Sequence, residues 1–206
     1  WKALWMQPLP VWLESLTVLR FNASRNLLID IDPTFPFQIT SLDGYGNNLQ
    51  LVKGRQWGIW GGSATFNGAL ATFNRLDVRN PSITFNANAS AITISELSAF
   101  AGKGLLEATA VVSQLPDRQT KVSLNGRGVP VNVLQQWGWP PVPLEGDSNL
   151  HLTASGAISA TELLKPSVNA RLEITDSKGQ KVGQTMRNGA LTTAAPATPP
   201  APTPAP

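Results

Sequence analysis

The chain reads as mainly all-β: an elongated, curved antiparallel sheet built from repeated strand–short helix–strand units, ending in a disordered Pro/Ala-rich tail. Three observations predict this. Apolar residues recur with a period of two over short runs, as where Val122 and Leu124 alternate with Lys121, Ser123 and Asn125, the pattern of a half-buried strand. Gly, Pro, Asn and Asp clusters separate those runs at short intervals. Only 14% of the 206 residues are charged, against about 25% in an average globular chain, so the polar face must be made of neutral Asn, Ser and Thr. A chain of this length can bury a sizeable core in one large or two small domains.

Residues 1–16 form an N-terminal segment in which Trp1, Trp5, Trp12, Leu13 and Leu16 suit a short amphipathic helix, confined by Pro8 and Pro10 to the part that follows them. Packing against residues outside the chain is the plainer reading of its apolar content. An interfacial membrane segment is the alternative, because Trp favours bilayer interfaces. No apolar run reaches the length of about 18 residues needed to span a membrane as a helix.

Residues 17–60 read as a β-meander continuous with the main sheet. Thr17, Leu19 and Phe21 alternate with Val18 and Arg20, and Asn22-Ala23-Ser24 marks a turn. Leu27–Asp32 is a second strand, stopped by Pro33. Phe37–Leu42 is a third, followed by an Asp43-Gly44 turn, and Asn47–Val52 and Gly58–Trp60 flank a turn at Lys53-Gly54.

Residues 61–186 carry an approximate repeat of about 40 residues. Gly-led strands begin at Gly62, Gly104 and Gly146. Within the unit, Ile83–Ala89 corresponds to Val122–Gly128. Ser95 is placed to cap a short helix over Glu96–Phe100, as Asn132 is for Val133–Trp137. Thr161–Leu164 is a further brief helix, Ser167–Ile174 a strand, and Gln180–Met186 an edge strand. Residues 190–206 are almost wholly Ala, Pro and Thr and cannot offset their ordering entropy by burial.

No enzyme is visible in the residues. The chain has no cysteine, so disulfides, thiolate metal sites and Cys nucleophiles are excluded. The single histidine, His151, points away from its strand neighbours Leu150 and Leu152, toward solvent or a hydrogen bond. Asp30 and Asp32 are the nearest approach to a carboxylate pair, and a solvated strand face beside Pro33 explains them. No Gly-x-Ser-x-Gly elbow and no phosphate-loop context occurs. No cofactor or metal is expected. The net charge of +3 comes from scattered Lys and Arg without a basic run, which sets nucleic acid aside. Trp57 with Trp60, and Trp137 with Trp139, form two close pairs. Exposed Trp faces would suit a glycan, whereas Trp packed between sheet and helix is the structural alternative, favoured for Trp137.

The stretch Asp117–Gly156 organises the rest: strand, Gly126 and Gly128, short helix, a Pro140-Pro141-Pro143 turn, then the alternating run Ser148–Ala154. Leu124–Gly128, Val131–Leu134, Pro143-Leu144-Glu145-Gly146 and Leu150–Gly156 together resemble the C-terminal region of the AsmA family of bacterial envelope proteins. The resemblance covers about Gly61–Glu173. It implies a periplasmic protein, tethered to the inner membrane by an anchor upstream of Trp1, that handles lipid in support of the outer membrane.

One sheet face is consistently apolar, with Phe66, Leu106, Leu124, Leu150 and Leu152 as candidate residues for a lipid groove, and Trp57 and Trp60 as candidate surface aromatics. A curved sheet with such a lining can hold an acyl chain, since hydrocarbon needs continuous apolar contact and no directional partner. The expected partner is therefore phospholipid or another acyl-chain lipid. The alternative is a sealed structural or glycan-binding β-domain. Alternation alone does not separate an open face from a covered one.

Overall fold

A computed structural model of the chain describes residues 8–31, 36–115, 118–135, 138–157 and 167–193. The described part is a single antiparallel sheet of twelve strands: β1 (Ser15–Asp30), β2 (Phe37–Lys53), β3 (Gln56–Asn67), β4 (Leu70–Phe73), β5 (Leu76–Ala87), β6 (Ala91–Ala101), β7 (Gly104–Ser113), β8 (Gln119–Pro130), β9 (Asp147–Ala157), β10 (Asn169–Asp176), β11 (Lys181–Arg187) and β12 (Ala190–Thr193). Each strand pairs with its sequence neighbour, except that the short β4 bridges β2 and β5 beside β3. The all-β expectation holds, and residues 15–67 pair in the order β1, β2, β3.

The helices of the repeat do not form among the described residues. Glu96–Phe100 lies inside β6, which is paired on both sides. A bulge between Ile94 and Leu97 returns Leu97, Ala99 and Ala101 to the same face as Ile92 and Ile94. Cross-strand burial there outweighs the local capping signal at Ser95, whose hydroxyl instead donates to the Thr84 carbonyl. Val131–Leu134 makes turns, with Val133 N–H donating to Pro130 and Gln135 N–H to Asn132, and a 3₁₀ turn rather than an α-helix begins at Gln135. The repeat units are accordingly unequal: residues 91–101 stay in the sheet, whereas residues 131–135 and 138–146 leave it. The Thr161–Leu164 helix and Trp137 lie outside the described residues, as do Trp1, Trp5 and Asp32.

Several expected turns are irregularities within long strands. Asn22-Ala23-Ser24 runs straight through β1, and the backbone deflects at Arg25, φ 56°, with register shifts around Asn26. Asp43-Gly44 lies inside β2, where the Phe66 ring covers the space a Gly44 side chain would need. Gly126 and Gly128 do not end their strand either. They produce a bulge between Gly126 and Val129, and β8 continues to Pro130. Gln180–Met186 corresponds to β11, which is not an edge, because β12 is formed by the first residues of the Ala/Pro/Thr stretch expected to be disordered. The amphipathic helix expected before residue 16 is replaced over its described part by a turn at Val11–Trp12, with Leu13 N–H donating to Pro10.

Candidate functional site

In an antiparallel sheet, residues directly opposite one another point to the same face, so the register defines that face row by row. One row runs Phe21, Gly46, Ala64, Phe85, Ile94, Ala110, Val122, Ala154, Ala170, Met186, crossing every strand from β1 to β11 except β4. The next runs Ala23, Gly44, Phe66, Ile83, Leu97, Ala108, Leu124, Leu152, Leu172, ending at Gln184. A third is Ala99, Leu106, Gly126, Leu150, Ile174, Val182. Until it meets Gln184, this face carries no charged or amide side chain in the three rows.

The opposite face is polar. Glu107, Asn125, His151 and Glu173 are cross-strand neighbours on it. Arg127 pairs with Glu107, and His151 Nδ1 lies 2.7 Å from Asn125 Oδ1. His151 is exposed and hydrogen-bonded on this polar side. No group of three or more metal-ligating side chains occurs among the described residues.

The apolar face divides lengthwise into a covered half and an open half. Residues 131–135 and 138–146, a cap between β8 and β9, fold over the ends of the central strands. They insert Val133, Leu134, Val142 and Leu144 into one buried cluster with Leu106, Leu124, Val129, Leu150, Leu172 and Ile174. Leu172 and Val129 are completely buried. Prolines 140, 141 and 143 suit this segment because it needs no sheet ladder. The cap is also fastened by polar bonds: Trp139 Nε1–H donates to Gln184 Oε1 at 2.6 Å, and Gln184 Nε2–H donates to the Pro141 carbonyl at 3.4 Å. Gln184, the polar residue that ends the second row, is thereby satisfied although only 6% exposed.

Beside the cap, Ile94, Ala110, Val122, Ala154 and Met186 of the first row are partly exposed, while Ala170 between them is buried. They form the floor of a shallow trough of about 750 Å³ that spans β6 to β11, with residues of the flanking rows, Lys121, Arg171 and Arg187 among them, at its margins. Six strands at about 4.8 Å spacing make it about 24 Å long, running across the strands. The alanine methyls of β7, β9 and β10 keep the floor low, and the leucine row beside them rises toward the cap. At the β6 end the face continues into a second cluster around Leu49, Ala64 and Phe85. The rings of Phe21, Phe66 and Phe85 stack there at centroid distances of 5.6 and 6.5 Å.

The expected groove residues all sit on the apolar face, but in its second and third rows. Leu106, Leu124 and Leu150 are buried in the cluster that includes the cap residues, Leu152 packs against that cluster, and Phe66 is in the aromatic stack. None of the five lines the trough. The residues that do are mostly small, and small residues in an alternating run give no sequence signal of an open floor. Trp57 and Trp60 are half-buried near the β2–β3 turn, with Trp60 Nε1–H donating to the Gln56 carbonyl at 3.1 Å and Lys53 Nζ 5.9 Å from the Trp60 ring.

Fold and site together define a single-layer β-sheet protein whose apolar face is half core and half open trough. The chain is 61% identical over 189 residues to the AsmA family protein YicH of Escherichia coli K12, a match covering 92% of the chain. It belongs to the AsmA family, as the residues of Leu124–Gly156 suggested. The chain spans about a third of the length of that relative. No family model and no solved structure matches it.

Proposed function

We propose that the trough holds the acyl chain of a phospholipid or a similar lipid and guides it along the sheet in the bacterial envelope, without catalysis. The supporting observation is the open apolar row from Ile94 to Met186 beside a capped one. A chain of methylene groups gains roughly 0.8 kcal/mol for each group taken out of water, and an apolar floor lets it slide with little change in energy. The broader reading places this passive carriage in the periplasm, tethered to the inner membrane and serving outer-membrane homeostasis. The cap supports a second, purely structural role for the half it covers, since the leucines beneath it are core.

Native mass spectrometry with lipid extraction, on protein expressed in a bacterial periplasm, tests the proposal. Co-purified phospholipid that is lost in Ala110→Trp and Ala154→Trp, with the β-sheet circular dichroism unchanged, is the expected result. A lipid-free mass that takes up no added phospholipid would leave only the structural reading.

A further inference from the structure

The end of the sheet toward which the trough opens is built differently from the capped end. The segment before β1 sits beside the β2–β3 turn, since Ser15 pairs with Lys53 and the Arg55 N–H donates to the Glu14 carbonyl at 3.2 Å. There Val11 and Trp12, adjacent in a turn, are 81% and 80% exposed. A lone exposed apolar residue means little. Two large neighbours at a protruding turn, flanked by the exposed cations Lys53 and Arg55, make an amphipathic tip.

This tip lies at the same strand ends as the uncapped side of the trough, with β1 four strand positions from β6. Between them Gln114, which follows β7, donates its side-chain amide to the Ile59 carbonyl of β3 at 2.8 Å. Along the same strand ends Arg118 and Arg187 are exposed. Glu14 is the one carboxylate among the described residues of this end, whereas Asp77, Glu145, Asp147 and Asp176 belong to the capped end.

We propose that this end docks on an anionic phospholipid bilayer, with Trp12 and Val11 entering the headgroup layer and the cations facing lipid phosphates. An indole at the interface buries its apolar ring while its N–H stays hydrated, and Lys and Arg near the surface are drawn by the negative potential of anionic lipid. Docking at this end turns the uncapped side of the trough toward the membrane. The inference goes beyond carriage of lipid and stands without it.

Vesicle flotation of the full chain tests it, using phosphatidylglycerol-containing vesicles against pure phosphatidylcholine at low and high salt. The chain is expected to float with the anionic vesicles and to be released by salt. Val11→Asp/Trp12→Asp should lower the bound fraction at least tenfold, and Lys53→Glu/Arg55→Glu should weaken binding and flatten its salt dependence. Ala154→Trp, which fills the trough, should float like the unaltered chain. Docking is overturned if the chain does not prefer anionic vesicles, or if the Val11/Trp12 variant floats undiminished. It is equally overturned if Trp12→Asp instead converts a dimer to a monomer in solution, which would make the tip a protein contact. A tip variant that retains co-purified lipid but no longer floats, beside a trough variant with the reverse behaviour, separates the two proposals.

Discussion

The indole N–H of Trp139 and the amide oxygen of Gln184, 45 residues apart and 2.6 Å from each other, fasten the cap to β11. The same amide donates to Pro141, so one buried side chain meets two polar groups of a segment otherwise held by Val133, Leu134, Val142 and Leu144.

Gln184→Leu keeps the shape of that side chain but strands the Trp139 N–H and the Pro141 carbonyl. The expected loss is about 2 kcal/mol, read as a lower urea midpoint. Trp139→Phe removes the donor as well as the indole, and the double variant should cost less than the sum of the two, as for groups sharing one network.

Phe66 lies over Gly44 and between the rings of Phe21 and Phe85. Phe66→Ala opens space on both sides at once. A loss of about 3 kcal/mol is expected from chemical denaturation. Gly44→Ala should also destabilise, because its methyl enters the volume of that ring.

Two glycines should respond in opposite ways. A methyl on Gly126 would lie 2.8 Å from both Leu150 Cγ and Val129 Cγ2, within the capped core, and Gly126→Ala should cost about 1–3 kcal/mol. Gly183, in β11, has nothing within 4 Å of an added Cβ. Gly183→Ala should leave the thermal midpoint unchanged or raise it slightly, since Ala loses less backbone freedom on folding.

Leu172→Ala, beneath the cap, should cost about 2–5 kcal/mol by leaving a cavity at a completely buried site. Ala154, on the neighbouring strand β9, is partly exposed and lines the trough. Ala154→Val should change stability little while lowering lipid uptake measured on the folded protein.

Much of the fold was legible because strand alternation and sheet burial are the same physical fact. Val122, Leu124, Leu150 and Leu152 face the same way in the structure for the reason their spacing is two. Short-range signals misled where long-range pairing overrode them: Ser95 resembles a helix cap, yet Ile94 and Leu97 are held by Ala110 and Ala108 across β7. Asp43-Gly44 resembles a turn, yet Phe66 needs that glycine flat beneath its ring. Which part of the apolar face is open was not legible at all. That depends on where residues 131–135 and 138–146 land, and their apolar residues do not name the row they will cover. Large leucines drew attention to the capped rows, whereas Ala110 and Ala154 mark the open one.

Photo-cross-linking shows whether lipid lies in the trough. A benzophenone side chain placed at Val122 or Ala154 sits on the trough floor, and one at Asn125 or His151 sits on the polar face, away from it. In cells supplied with labelled phospholipid precursor, lipid adducts are expected at Val122 and Ala154 and none at Asn125 and His151. Equal labelling at all four positions, or labelling confined to the polar face, would contradict a lipid seated in the trough.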